Sequence, residues 1–307
     1  MIERRTFVWH DIEHPAFVAT GAADGPRLSL IGGVHGCEYS SIAAVTRVMN
    51  ELDTSELAGT ITAVPVVSME SFRRRSPFVV PVDGKNLNRS FPGKRDGTYT
   101  EVLARSIFDD VIAPADVLLD LHGGDQVEGL EPFAIYEASP VEERAHVIAT
   151  AFNLPYVVRE ERTEGGLGGL TTSAAAEAGI PGVIAEAGGR GLLEAHAVAQ
   201  LTDGVRNVLR VLEMLPGDPE PPPAGQRLVG SFVWLRSAQA GWWDSAVSHG
   251  DEVAAGQLLG RVRNLWGDVL EEVAAPEAGV ILFVTTSPAV GDDGLLLGLG
   301  AELDDLG

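Results

Sequence analysis

The run Leu215-Pro216-Gly217-Asp218-Pro219-Glu220-Pro221-Pro222-Pro223 constrains this chain most, because the hydrophobic period differs on its two sides. Upstream, short apolar runs alternate with stretches whose apolar residues recur at helical spacing. Downstream, turn glycines separate only short strands, at 232–235, 241–243, 258–262, 270–273 and 280–284. A segment so rich in proline is stiff and extended. We therefore expect an α/β domain over residues 1–215, a linker at 216–223 and a small all-β domain over 224–307.

Within the first domain, Leu28-Ser29-Leu30-Ile31 has the character of a short buried strand. Gly32-Gly33 interrupts it, and Ile42, Val45, Val48, Met49 and Leu52 then mark a helix. The next strand lies at 60–67, so this order predicts a parallel pair joined by a right-handed crossover. His35 and Glu38 fall on the glycine-loosened turn between strand and helix, at the edge where open α/β sheets bind ligands. An imidazole and a carboxylate so spaced can hold one divalent ion, and zinc accepts both donor types. A third ligand must come from elsewhere.

The strand at 117–121 ends in His122-Gly123-Gly124, which places another histidine at a carboxyl strand end. Asp120 lies two residues earlier on the same face, positioned to hydrogen-bond a ligand histidine from behind. Further strands are expected at 133–136, 154–158 and 182–186, the last ending in Glu186 beside Gly188-Gly189. Helices are expected near 101–112, 141–152, 171–178 and 193–215, and Gly165-Gly166-Leu167-Gly168-Gly169 reads as a loop near the site. His10, His14 and His196 read as surface residues.

Net charge is −22, which argues against nucleic acid or an anionic membrane as partner. Only Lys85 and Lys94 are lysines and the other basic residues are arginines, a balance that suits either a GC-rich or a salt-adapted source. Seven of the 22 cationic residues nevertheless cluster between Arg73 and Arg95, against the single acid Asp83. The island predicts a pocket for an anionic group, with ion pairing to surface acids as the plainer alternative. It lies in a long irregular loop, 68–98, which carries Asp83-Gly84-Lys85-Asn86-Leu87-Asn88-Arg89-Ser90-Phe91-Pro92-Gly93. Arg89, by its planar fork, and Asn88, by its amide, can grip a carboxylate. No apolar run approaches membrane-spanning length, and the opening Met1-Ile2-Glu3-Arg4-Arg5-Thr6 has no signal core, so neither an anchor nor secretion is expected. Cys37 is the lone cysteine, which fits a reducing cytoplasm.

Taken in order, His35-Gly36-Cys37-Glu38, the Asp83-to-Gly93 phrase, Asp120-Leu121-His122-Gly123-Gly124 and Glu186-Ala187-Gly188-Gly189 resemble the succinylglutamate desuccinylase and aspartoacylase family of the zinc carboxypeptidase-like superfamily. The resemblance covers nearly the whole chain. It implies a mixed, mostly parallel sheet flanked by helices, plus a carrier-like β-domain. Residues 247–257 resemble the half-barrel repeat of biotinyl and lipoyl carriers, but no lysine follows Lys94, so a swinging-arm role is excluded. The resemblance further implies one zinc per chain held by His35, Glu38 and His122, with an open position for water. Glu186 would be the general base, and Asn88 and Arg89 would bind the substrate carboxylate. An arginine upstream would polarise the scissile carbonyl; Arg75 fits best, with Arg73 and Arg74 as neighbours in contention.

The activity so implied is zinc-dependent removal of an acyl group from a small N-acyl amino acid. A zinc carboxypeptidase acting on small peptides uses the same ligand geometry, and in this family the β-domain narrows the entrance against peptides. A non-catalytic metal-binding protein would have no use for Glu186. A homo-oligomer is compatible with everything read here.

Overall fold

A computed structural model describes residues 1–161 and 169–306. The glycine loop expected at 165–169 lies outside the described residues except for Gly169. The chain opens with a hairpin, β1 (Ile2–Trp9) and β2 (Ile12–Thr20), followed by β3 (Ala23–Gly32), α1 (Tyr39–Glu51), β4 (Ala58–Val64), α2 (Met69–Arg74) and α3 (Tyr99–Ile107). Next come β5 (Val117–His122), β6 (Glu128–Leu130), β7 (Phe133–Glu137), α4 (Glu142–Ala151), β8 (Tyr156–Glu160), α5 (Thr171–Glu177), β9 (Gly182–Glu186) and α6 (Ala195–Val211). Everything after the proline run is strand: β10 (Arg227–Arg236), β11 (Gly241–Ser245), β12 (Glu252–Val253), β13 (Leu258–Arg263), β14 (Val269–Ala274), β15 (Gly279–Thr285), β16 (Ala289–Val290) and β17 (Leu295–Asp305).

The large mixed sheet runs in the order β1-β2-β4-β3-β5-β9-β7-β8-β10-β17-β15-β12. Its centre is parallel: β3 pairs β4 and β5, and β5 pairs β9. Strand β7 then runs antiparallel to β9 and parallel to β8. The sheet does not stop at the proline run. β10 pairs in parallel with β8, so the C-terminal strands continue the same hydrogen-bonded surface, while β14-β13-β11-β16 form a second sheet. The prolines pass along the first region rather than away from it: Asn207 Nδ2 donates to the Glu220 carbonyl at 3.0 Å, and the Glu220 amide donates back to Asn207 Oδ1 at 2.7 Å.

Helices α1, α4 and α6 cover one face of the central sheet, with Val45, Val48, Met49, Phe152, Leu201 and Val205 among the fully buried core residues. On the other face Leu103, Ile107, Ile112, Leu118 and Ala175 form a second core. Central strands such as Val117–His122 are buried along their whole length, because a parallel sheet is covered on both sides. Among the described residues no helix is long and apolar enough to cross a membrane.

His14 differs from its expected surface position. It is buried, its ring 4.5 Å from that of Trp9, because the first hairpin packs its inner face against the second core. Burial lowers its pKa. His196 is exposed and His10 stacks on Tyr99 at 4.1 Å.

Candidate metal centre and active site

Strands β3, β5 and β9 deliver three turns to one edge of the sheet. The first turn is pinned by Val67 and Ser68, whose amides donate to the carbonyls of Gly32 and Gly33 at 3.1 and 3.0 Å. Gly36 is required there: a Cβ at this position would lie 2.1 Å from the Phe72 amide nitrogen. Glu38 then caps α1, and its carbonyl accepts from Ser41 Oγ at 2.7 Å. Register does the rest, because His122 on β5 sits directly beside Glu186 on β9. Gly123 allows the two strand ends to close, since a Cβ there would meet the Ala187 carbonyl oxygen at 2.5 Å.

His35, Glu38 and His122 converge, with one ligand atom from each lying within 4.8 Å of the others. His35 Nδ1 is 2.6 Å from Glu38 Oε1, and His122 Nδ1 is 3.0 Å from Glu38 Oε2. The outer nitrogens face acceptors: His35 Nε2 lies 3.1 Å from Asn86 Oδ1 and His122 Nε2 lies 3.0 Å from Asp120 Oδ2. The acceptor behind His35 Nε2 favours the proton there and turns its Nδ1 lone pair toward the convergence point, as in metal-bound histidines, while Asp120 lies in close charge contact with His122 Nε2. Asp120 is itself held by the Thr171 hydroxyl, which donates to its Oδ2 at 2.6 Å. Two nitrogens and a carboxylate are a donor set that zinc accepts, and three protein ligands leave a position open. The residues therefore fit a divalent zinc-like ion.

The electrostatics agree. Burial alone would raise the Glu38 carboxyl, but His122 and His35 reverse this and hold it at about 2. Burial opposes protonation of His122, yet Asp120 and Glu38 push its pKa well above that of free histidine. Glu186 goes the other way: burial raises it to about 7, the two histidines pull down and Glu38 pushes up. A carboxyl poised near neutrality is suited to exchanging protons. A cation among the three ligands would draw these values downward.

These groups open into a cavity of about 710 Å³. Asn88, Arg89, Glu128 and Glu160 line it with the four residues above, and so do Phe232, Trp234 and Phe283 from the C-terminal strands. The Asn88 side-chain oxygen accepts from the Thr171 amide at 3.0 Å, which ties the loop carrying Asn88 and Arg89 to α5. Arg89 Nη1 donates to the Asn88 carbonyl at 2.6 Å. Glu128, whose Oε2 accepts from the Asp125 amide at 2.8 Å, is raised by burial to about 8.

The structure thus brings His35, Glu38, His122, Asp120, Glu186, Asn88 and Arg89 together, and leaves Arg75 outside. Arg75 ends α2 in a left-handed conformation, is exposed, and does not line the cavity; Gln126 Nε2 donates to its carbonyl at 3.1 Å. The basic island disperses in the same way. Arg74 pairs with Glu70, Lys85 and Lys94 with Glu101, and Arg95 with Asp109. Among the described residues only Arg89 of the seven lines the cavity, so surface ion pairing accounts for most of the cluster. Sequence reasoning missed Asn86, Glu128 and Glu160. Asn86 belongs to a phrase already marked as specific, but nothing local indicates that it meets His35.

Comparison with known proteins follows the same lines. Residues 24–212 match the family model for the succinylglutamate desuccinylase/aspartoacylase catalytic domain. An N-alpha-acetyl-L-2,4-diaminobutyric acid deacetylase from Halomonas elongata is 31% identical over 252 residues, 79% of this chain and 72% of that protein. The product-bound ectoine utilization protein from Ruegeria pomeroyi superposes with a TM-score of 0.83 at 28% identity, covering 97% of this chain and 95% of that one. A succinylglutamate desuccinylase/aspartoacylase from Rhodobacter sphaeroides shares the fold, with a TM-score of 0.85 at 24% identity over 100% of this chain and 96% of that one. The chain belongs to the succinylglutamate desuccinylase/aspartoacylase family.

Proposed function

We propose that this member of the family is a zinc-dependent deacylase that hydrolyses the amide of a small N-acyl amino acid. The observation that carries the reading is one cavity holding a convergent His-Glu-His set, the Glu186 carboxyl directly beside His122, and a guanidinium. The name of the Halomonas elongata relative, an N-acetyl amino acid deacetylase, supports the same class of substrate. His35, Glu38 and His122 would hold one zinc per chain, and the ion would supply polarisation of the acyl carbonyl and acidification of water.

The protein's own groups do the rest. Asp120 and Asn86 hold the two imidazoles in orientation from behind. Glu186 accepts the proton released by the attacking water and passes it to the departing amine. Arg89 and Asn88 grip the α-carboxylate, so that the amide is oriented before any bond changes. Arg75 receives no role here, since its side chain lies outside the cavity. The aromatic wall from β10 and β15 narrows the cavity and favours small substrates over peptides. We place the protein in the cytoplasm, where the thiol of buried Cys37 stays reduced.

The test is turnover of a panel of N-acetyl and N-succinyl amino acids by zinc-loaded protein, read as free amine, with small peptides alongside. Each good substrate is paired with its α-carboxamide. The parent should prefer the free acid by about tenfold or more, and Arg89→Ala should remove most of that preference. Faster cleavage of peptides than of N-acyl amino acids would make the protein a carboxypeptidase instead.

A further inference from the structure

Thr171 touches both halves of the site without lining the cavity. It is fully buried at the start of α5 and makes two contacts in different directions. Its hydroxyl donates to Asp120 Oδ2 at 2.6 Å, and that same oxygen lies 3.0 Å from His122 Nε2. Its backbone amide donates to Asn88 Oδ1 at 3.0 Å.

Neighbouring contacts hold the same seam. The Phe91 amide donates to the Gly169 carbonyl at 3.0 Å, and a Cβ on Gly169 would lie 2.4 Å from the Arg89 carbonyl oxygen. Asn88 is tied toward the other histidine as well. Its backbone amide donates to Asn86 Oδ1 at 2.8 Å, and that oxygen lies 3.1 Å from His35 Nε2. The loop carrying Asn88 and Arg89 is thus joined to the backs of both ligand histidines, through Asn86 on one side and Thr171 on the other.

Asp120 is the sensitive link. It is fully buried, and among the described residues its Oδ1 has no hydrogen-bond partner. Its other oxygen takes the Thr171 hydroxyl. A carboxylate removed from water depends on the few donors that reach it, for position as well as for energy. The charge contact with His122 is only as well placed as that carboxylate.

We propose that Thr171 is a positioning residue for the metal centre: its hydroxyl keeps Asp120 against His122, while its amide keeps Asn88 in register with the same ligand. This rests on the zinc-dependent deacylase reading above. The two contacts separate by chemistry, since a side-chain substitution removes the hydroxyl and spares the amide. Loss of the hydroxyl should therefore appear in metal affinity and not in recognition of the substrate carboxylate.

The test titrates zinc into the metal-stripped chain against a zinc-chelating dye. Thr171→Val keeps the shape and loses the hydroxyl, and its Kd for zinc should rise about tenfold, the lower end of the cost of losing a group behind a metal ligand. Thr171→Ser should bind zinc nearly as tightly as the parent, and Thr171→Ala should not. That second pair isolates the hydroxyl even if the valine variant fails to fold. Thr202→Val is the control: Thr202 is equally buried, and its hydroxyl donates to the Val198 carbonyl at 2.6 Å within α6. Its loss should lower the melting temperature and leave zinc affinity unchanged. At saturating zinc, Thr171→Val should hold KM for an N-acetyl amino acid within a few-fold and keep the parent's preference for the free acid over its carboxamide. Unchanged zinc affinity in Thr171→Val, or equal weakening in Thr202→Val, removes Thr171 from this role and leaves the deacylase reading intact. A parent that binds zinc but turns over no N-acyl amino acid removes the deacylase reading instead, and the zinc affinities alone then decide the role of Thr171. A parent that binds no zinc removes both.

Discussion

On the sheet-edge side of the cavity stand His35, Glu38, His122 and Glu186; on the C-terminal side stand Phe232, Trp234 and Phe283. The first wall is held by charge. Glu38 and His122 are buried, and Glu38 is compensated by contact with both histidines. The second wall is held by ring packing, with Phe232 and Trp234 centroids 4.6 Å apart and Trp234 and Phe283 6.0 Å apart. Removing one member of a buried charged set leaves another uncompensated, whereas trimming one ring leaves the others in place. Chemistry should therefore reside on the first wall and fail abruptly. Substrate affinity should be shared with the second and decline gradually.

The largest effect is expected for His122→Ala. Metal measured by elemental analysis should fall from about one zinc per chain toward none, and activity with it. Because Glu38 and Asp120 lose their shared imidazole, the melting temperature should be followed at the same time. Unchanged metal content would take His122 out of the ligand set. Glu186→Gln comes next: it should keep metal and fold while kcat falls by about a hundredfold or more. A kcat within a few-fold of the parent would place the base elsewhere.

Trp234→Ala tests the aromatic wall. Metal and kcat should hold, and KM should rise by about three- to tenfold. A kcat loss as large as that of Glu186→Gln would dissolve the distinction between the walls. The smallest effect concerns stability. In the metal-free protein the Glu128 carboxyl is raised to about 8 by burial, so the folded chain keeps a proton there that the unfolded chain releases above ordinary carboxyl pKa values. The native state then binds more protons than the unfolded one, and stability falls as pH rises from about 4.5 to about 8. Glu128→Gln should flatten that decline and raise the melting temperature at pH 8 but not at pH 4. Parallel melting curves for the two proteins across this range would show that Glu128 is not held protonated.

Much of the first wall was legible because its determinants are local. His35 and Glu38 share one turn, and a strand followed by glycines places that turn at the sheet edge. His122 and Glu186 each end a buried apolar run beside glycines, so their position at a strand terminus follows from the chain near them. That the two are neighbours is a matter of register between β5 and β9, which is set by pairing across 64 residues of chain. The same locality explains the basic island. Seven cations lie close in sequence, but Glu70, Glu101 and Asp109 draw off four of them at the surface, and among the described residues Arg89 is the one of the seven that lines the cavity.

The sequence by itself determined the alternation of strand and helix before the prolines, the strand-only region after them, and which residue types stand at strand ends. Backbone propensity and hydrophobic period act over a few residues, and a single chain displays them directly. Only the tertiary structure decided that β10 pairs with β8, so that the prolines separate two periods without ending the sheet. It likewise decided that β7 reverses direction, that Asn86 stands behind His35, that Arg75 faces outward and that Glu160 enters the cavity. Each of these depends on which distant segment supplies a hydrogen-bonded or charged partner, and that choice is made by the packing of the whole chain.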